Sequence, residues 1–341
     1  MPDSKETVMV TGAMGCIGAW TVKELVRRGL KPVAFDRSTD QRRLRLVMTA
    51  EELDAVTFVA GDLTDLASLN STIESEQTTR VIHLGALQLP FCRADPPGGA
   101  VVNVVGTANV FEAARINAIP QVVYTSSIAV FDMSGGHLAH EAHARPSSHY
   151  GVYKLANEGT ARAYWHDSGV ASLGLRPLTV YGPGRDQGLT SSPTKAMVAA
   201  VLGVPYEISF GGSTFLQYAP DVAYSLVEAA FASHEGARVV NLNGTRVSIG
   251  DFVAAIEGAS GDARGLIRFR ENPLPFPDDI DTTGLEVIGP PPVTPLARGV
   301  SESVELYRRL QESARLLPEE HGLQITDGEA VDWPTPVPVP T

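Results

Sequence analysis

Residues 11–18 read Thr11-Gly12-Ala13-Met14-Gly15-Cys16-Ile17-Gly18, and their reading decides the fold. The apolar run Thr7–Val10 precedes them and the amphipathic run Ile17–Arg28 follows. A glycine-spaced turn between a buried strand and a helix is the context that marks a dinucleotide fingerprint. Gly12 permits the tight turn, Gly15 lets the backbone approach a pyrophosphate, and Gly18 lets helix and strand pack closely. Cys16 and Ile17 then open the helix, whose N-terminus offers amide donors and a positive dipole end to the phosphates.

Working outward, Lys31–Phe35 reads as a second strand with Asp36 at its end. A carboxylate there accepts hydrogen bonds from the adenosine ribose and repels a 2′-phosphate, which favours NAD over NADP. Arg37, the next residue, is the one able to hold such a phosphate. Asp62 and Leu63 follow a third strand, Val56–Val59. Asp62 is placed for the adenine edge or, alternatively, to cap the helix after Thr64. Arg80–Leu84, Gln121–Thr125 and Ala171–Leu175 continue the strands, with helical patterns between them, clearest at Ala100–Asn117 and Tyr150–Ser168. This alternation predicts a doubly wound parallel α/β (Rossmann) sheet, with the carboxyl ends of its strands along one ligand-binding edge.

After Pro177 the regularity fades. Gly182-Pro183-Gly184 and Gly211-Gly212-Ser213 signal loops, Asp221–Ser233 and Ser301–Leu316 helices, and Val239–Leu242 a strand. The expected organisation is an NAD-binding domain over residues 1–178 plus about 217–245 and a smaller C-terminal substrate-binding lobe over about 179–216 plus 246–331. A proline-rich tail takes residues 332–341, and the aperiodic stretch from Asn272 to Pro295 is expected to be a surface arm.

The chain of 341 residues, 43% hydrophobic and 19% charged, can bury a full core. Its formal net charge of −12 repels nucleic acid and anionic membranes. The one dense basic run, Arg42-Arg43-Leu44-Arg45, is short and reads as a solvated helix face. No apolar stretch is long enough to span a bilayer, and the N-terminus lacks an apolar signal core. Two cysteines, Cys16 and Cys92, are too few for a disulfide framework. From these features a cytoplasmic address is expected, with neither a nucleic-acid nor a membrane partner.

Tyr150 and Lys154 stand four apart, on one helix face. An ammonium near a phenol is expected to lower the phenol pKa and make a usable base. Their helix follows Thr125-Ser126-Ser127 at the end of a strand, where hydroxyls can hold an alcohol substrate. Tyr153 lies on a different face and reads as packing.

Taken in order, these segments resemble the extended short-chain dehydrogenase/reductase family, which contains nucleotide-sugar epimerases and dehydratases. His83-Leu84-Gly85-Ala86, the Asn103–Thr107 segment and Val180-Tyr181-Gly182-Pro183 add to the resemblance. It implies that Tyr150 is the general acid/base, that Lys154 binds the nicotinamide ribose, and that Ser127 bonds the reacting oxygen. It implies NAD contacts from Gly12, Gly15, Cys16, Ile17, Gly18, Asp36, Arg37, Asp62, Leu63, Leu84, Gly85, Ala86, Thr125, Tyr150, Lys154 and Pro177. Substrate contacts are expected from Gln88, Ser126, Ser127, Tyr150 and Thr179, and a homodimer through the helices Ala100–Asn117 and Tyr150–Ser168.

The sequence also departs from the family. Nucleotide-sugar members carry an arginine where this chain has Thr214, and a second in the C-terminal arm that is missing from Pro273–Pro292. The asparagine usual before Val-Tyr-Gly is Thr179. Losing two diphosphate-binding charges argues for a substrate that is not nucleotide-activated. Arg185, Lys195 and Arg268 remain for an anionic group. The leading expectation is therefore an NAD-dependent dehydrogenase of a sugar, sugar acid or small polyol. The alternative is an NDP-sugar epimerase working through a transient keto intermediate. Dehydration is disfavoured because Ile128 and Ala129 stand where further acid/base groups would be needed, and a non-catalytic sensor because Tyr150 and Lys154 are both present. His137, His140, His143 and His149 are too loosely spaced for a metal site and read as a substrate-side loop, so no metal is expected.

Overall fold

In the computed structural model, the described residues are 6–131, 138–139, 144–276 and 279–333. The chain runs β1 (Thr7–Thr11), α1 (Cys16–Arg27), β2 (Lys31–Asp36), α2 (Arg42–Val47), α3 (Ala50–Asp54), β3 (Thr57–Ala60), α4 (Leu66–Ser75) and β4 (Arg80–His83). Short helices α5 (Leu89–Ala94) and α6 (Pro96–Ala100) lead through a π-helical turn, Val101–Val105, into α7 (Gly106–Ile116). Then come β5 (Gln121–Thr125), β6 (Leu138–Ala139), α8 (His149–Ser168) and β7 (Ala171–Arg176). The remainder runs β8 (Thr179–Tyr181), α9 (Ser192–Leu202), β9 (Tyr206–Ile208), β10 (Ser213–Tyr218), α10 (Ala219–Phe231), β11 (Ala237–Asn241), β12 (Thr245–Ser248) and α11 (Ile249–Ser260). It closes with β13 (Ile267–Phe269), β14 (Asp279–Ile280), α12 (Leu296–Glu312), β15 (Leu323–Thr326) and β16 (Glu329–Asp332).

The doubly wound expectation holds. One seven-stranded parallel sheet has the order β11-β7-β5-β4-β1-β2-β3. Its strands are buried on both faces, so their apolar runs are nearly continuous. Along β1, Val8 and Val10 pack into a core with Leu25 of α1 and Leu226 of α10, while Met9 packs into the opposite one with Phe111 and Tyr124. The alternation follows from the two-residue period of a strand. The order in which strands are added reverses at β1, which pairs with both β2 and β4, and this is the switch point where such sheets bind ligands.

A third core, built from Met197, Tyr206, Phe210, Phe252 and Tyr307 among others, lies under a three-stranded sheet ordered β12-β10-β8. α12 presents Val300, Val304 and Tyr307 to it at helical spacing. Pro295 caps this helix, so it begins five residues before the expected Ser301 and ends at Glu312 instead of Leu316.

Two stretches differ from expectation. The segment from Asn272 to Pro295 is more than a surface arm: β14 pairs with β6, and Leu285 and Ile288 are buried against the core of the main sheet. Asp332, assigned to the tail, ends β16, and its carboxylate bonds Lys195 and Tyr206. Beyond Trp333 the expected tail, residues 334–341, lies outside the described residues, as do His137, His140 and His143. Among the described residues no helix is long and apolar enough to cross a membrane.

Candidate active site

Strand register gathers the nucleotide side. Thr11 pairs with Phe35 on one flank and His83 on the other, so Gly12, Asp36 and Leu84 emerge level at the carboxyl edge. Gly12 has φ +71°, and a Cβ on it would lie 2.6 Å from the Gly85 nitrogen. At Gly18 a Cβ would lie 2.2 Å from the Gly12 carbonyl oxygen. Neither site admits a side chain. Gly15 is different: a Cβ there would meet only the Gly12 carbonyl oxygen, at 3.2 Å, and otherwise fill the cleft. Gly15 is also the N-cap of α1 and offers no side chain to cap it, which leaves first-turn amides for an anion. That cradle fits a dinucleotide diphosphate. The Asp36 carboxylate accepts from the amides of Met14 and Ser38, both at 2.9 Å, and so shapes the loop as well as facing the cleft. Asp62 accepts from the amide and hydroxyl of Thr64. The cap of α4 is Asp65, not Asp62.

Beneath this edge runs a buried relay. The Gly85 amide donates to the Thr11 hydroxyl, Thr11 donates to His83 Nδ1 at 2.7 Å, and His83 Nε2 donates to Thr107 at 3.0 Å. Thr107 in turn donates to the Asn103 carbonyl. Thr107 spends its one hydroxyl hydrogen on that carbonyl and so accepts from the ring, which assigns the Nε2–H tautomer. Burial pushes the His83 pKa down to about 3, and the Lys154 ammonium adds to the shift, so the ring stays neutral. Asn103, in the π-helical turn, clamps Leu87 by both its amide and its carbonyl, at 2.7 and 2.9 Å. Together these contacts hold the Leu84–Gln88 segment along the cleft.

On the far wall, Ser148 caps α8 by accepting from Gly151. A Cβ on Gly151 would sit 2.1 Å from the Ala129 carbonyl oxygen, so the glycine lets the first turn of α8 close onto the turn after Ser127. Tyr150 and Ser127 thereby border the same cleft, and Ser127 opposes the rise of the Tyr150 pKa. Lys154 is buried, donates to the Thr125 carbonyl at 2.8 Å, and lies 5.7 Å from the Tyr150 ring centre. The expected lowering of the Tyr150 pKa is not found in the protein alone. Burial pushes the phenol up to about 12, outweighing the opposing pull of Ser127 and Arg185. Burial also brings Lys154 down to about 8. Tyr153 donates to the Pro96 carbonyl and packs, as expected.

One continuous cleft of about 800 Å³ is bordered by every residue expected to contact NAD, and by Gln88, Ser126, Ser127 and Tyr150. Two expected substrate hydroxyls are engaged inside the protein. Thr179 is fully buried in β8 and meets Thr214 at 3.1 Å, away from the cleft. Ser126 borders the cleft but gives its hydroxyl to Glu158, which forms a buried ion pair with Arg176 at 2.6 Å. Of the three cations left for an anionic group, Lys195 is taken by Asp332 and Arg268 by Glu329. Arg185 alone of the three enters the cleft. It touches Gln88 and Thr190, both neutral, at 3.3 Å, and its buried Nε has no hydrogen-bond partner. Phe91, Leu189, Pro275 and Phe276 add an apolar rim that no sequence period announced. Cys16 also borders the cleft, and burial pushes its thiol up to about 12, which favours the neutral thiol. His149 begins α8 and stacks on Tyr153, and the described residues contain no metal-binding cluster.

The model of the family described as NAD-dependent epimerase/dehydratase matches residues 8–242. UDP-glucose 4-epimerase of Mycolicibacterium smegmatis is 31% identical over 312 residues, covering 88% of this chain and 98% of that protein. UDP-glucuronate 4-epimerase 6 of Arabidopsis thaliana is 28% identical, covering 88% of this chain and 71% of that one. The solved structure of MoeE5 in complex with UDP-glucose and NAD superposes with a TM-score of 0.75 at 28% identity, over 89% of this chain and 99% of the other.

Proposed function

The chain belongs to the NAD-dependent epimerase/dehydratase family and its cofactor is NAD, and from that premise we propose that it epimerises a nucleoside-diphosphate sugar at a secondary alcohol. The observation that carries the reading is that Tyr150, Ser127, Lys154 and Arg185 line the same cleft as the fingerprint glycines, with the Lys154 ammonium 5.7 Å from the Tyr150 ring centre. The relatives named above act on, or are seen with, UDP-sugars, which favours this reading over a dehydrogenase of free polyols. The missing arginine at Thr214 weighs little against it. That position faces the Thr179 hydroxyl inside the lobe, and Arg185 brings positive charge to the cleft from another loop.

NAD, when bound, supplies the hydride acceptor and donor, and its positive nicotinamide ring favours a nearby phenolate. Lys154 anchors the nicotinamide ribose. Tyr150 takes the proton of the sugar hydroxyl as the carbon is oxidised, and Ser127 bonds the same oxygen. The keto sugar would then turn over in the cleft, so that the hydride returns to the opposite face of the carbon while Tyr150 gives the proton back to the oxygen. Arg185, with neutral partners and an unused Nε, holds an anionic or polar group of the sugar nucleotide. We assign cofactor binding to residues 1–178 with about 217–245, and substrate binding mainly to the rest. We further propose a homodimer through α7 and α8, which expose Val105, Ile116, Val152 and Trp165 on and beside them. Sedimentation as a monomer at micromolar concentration would refute the dimer.

The deciding experiment supplies NAD with UDP-glucose, UDP-glucuronate, free aldoses and free uronic acids. Conversion of a UDP-sugar to its epimer without net NADH is the expected result. NADH accumulating with an unactivated sugar or acid would overturn it in favour of the dehydrogenase.

A further inference from the structure

The loop from Gly182 to Thr190 is held by the nucleotide side of the cleft. Trp20, on α1, donates to the Pro183 carbonyl at 2.9 Å. Arg43, on α2, forks onto Asp186, with Nη2–Oδ1 at 2.7 Å and Nε–Oδ2 at 3.1 Å, and Arg42 reaches the same carboxylate at 3.4 Å. The Asp186 side chain is only 5% exposed. The remaining terminal nitrogen of Arg43 donates to the Met14 carbonyl at 2.9 Å, inside the phosphate loop. The Met14 amide is held in turn by Asp36. An unbroken line of contacts therefore runs from Asp36 through Met14 and Arg43 to Asp186. Within the loop the backbone turns tightly: Gly184 has φ +89°, and the amides of Arg185 and Asp186 bond the carbonyls of Gly182 and Gly184. Arg185 is thus fixed between two anchored neighbours, Pro183 and Asp186, with its guanidinium in the cleft.

We propose that Asp186 and Arg43 are positioning residues that couple the cofactor loop to Arg185, so that seating the dinucleotide sets the guanidinium on the sugar side. The proposal rests on reading Arg185 as a sugar-nucleotide contact. A purely stabilising role suits the pair poorly, because a buried ion pair adds little over an apolar packing of the same volume. What a forked arginine–carboxylate contact supplies is fixed geometry. Arg43 also spends a donor on the loop that must accept the diphosphate, which a pair serving the lobe alone would not need.

The test uses the full chain with two variants. Asp186→Asn keeps the shape and removes the charge, and Arg43→Lys keeps the charge and removes the fork. Hydrogen–deuterium exchange is followed with and without saturating NAD. In the wild type NAD should slow exchange in both segments, 12–18 and 182–190. In the variants it should slow the first only. With UDP-glucose as substrate, KM should rise about tenfold in the variants, within the usual range of coupling between sites, while kcat falls by much less. NAD protection of 182–190 persisting in both variants would overturn the proposal. So would kcat and the thermal midpoint falling together at constant KM, the signature of a merely structural pair. Failure of the wild type to turn over any nucleotide sugar would instead strike the functional reading, and the exchange experiment would still decide the coupling.

Discussion

The two sides of the cleft are built by different means. On the nucleotide side, each residue sits at the end of a strand or in the turn after it, and its partners lie on the neighbouring strand. Gly12 against Gly85, and Asp36 against Met14, are such pairs. On the sugar side, Gln88, Arg185 and Phe276 come from separate loops, held by long-range pairs such as Arg43 with Asp186. A parallel sheet turns a local motif into geometry through its register. A loop has no such template, and distant side chains must clamp it.

The largest effect expected falls where the two sides meet. Tyr150→Phe should lower kcat by a factor on the order of 10³, the usual worth of a positioned acid/base, with NAD still bound. Turnover within a factor of about ten of wild type would mean that another group moves the proton. Next comes the nucleotide side alone. Gly12→Ala places a methyl 2.6 Å from the Gly85 nitrogen at a positive φ, so it costs about 1–2 kcal/mol in backbone strain besides the clash. NAD affinity, measured by calorimetry, should fall at least about tenfold. An unchanged affinity would show that the turn is less rigid than its contacts indicate.

This contrast also explains what could be read from the sequence. The alternation of strands and helices, the fingerprint glycines, Asp36 and the Tyr150–Lys154 pair follow from periodicity and spacing, because they are properties of consecutive residues. Arg43 was read as part of a solvated face since nothing in Arg42-Arg43-Leu44-Arg45 reveals Asp186, well over a hundred positions away. Thr179 was expected in the substrate site because it stands beside Val-Tyr-Gly, but strand alternation turns its hydroxyl inward to Thr214. The phenol pKa departs from the helical-spacing expectation for a related reason. Helical spacing places Lys154 near Tyr150, but not its hydrogen bond to Thr125 or the depth of burial that dominates both groups.

Acid sharpens the comparison, because each side buries one neutral histidine. His83 is held near pKa 3 by burial and Lys154. His321, against the edge of Tyr307, is held near 4 by burial, with Asp186 and Glu319 opposing the shift and Arg42 and Arg43 adding to it. Both folded values lie below the unfolded value of about 6.5, so the unfolded chain binds more protons in between and stability falls as the pH drops. Each ring should contribute a slope of about 1.4 kcal/mol per pH unit, from about 6.5 down to its folded value. Urea midpoints for His321→Leu should lose one such slope down to pH 4, and those for His83→Gln should lose theirs further, towards pH 3. Parallel curves for wild type and variants would mean that the rings are already charged in the fold.

The smallest effect bears most directly on the substrate. Thr179 and Thr214 form a neutral hydroxyl pair inside the lobe, so Thr214→Val leaves one buried hydroxyl without its partner. That costs about 1 kcal/mol, and Thr179→Val with Thr214→Val should cost less than the sum of the single changes, since no orphaned group then remains. Denaturant midpoints measure both. The sharper reading is kinetic. If position 214 lies inside the lobe, KM for UDP-glucose should not change in any of the three variants. A rise in KM without a fall in stability would place Thr214 against the diphosphate after all. The missing arginine would then regain its weight as an argument for a substrate without a nucleotide, and the sugar side would prove as legible in the sequence as the nucleotide side.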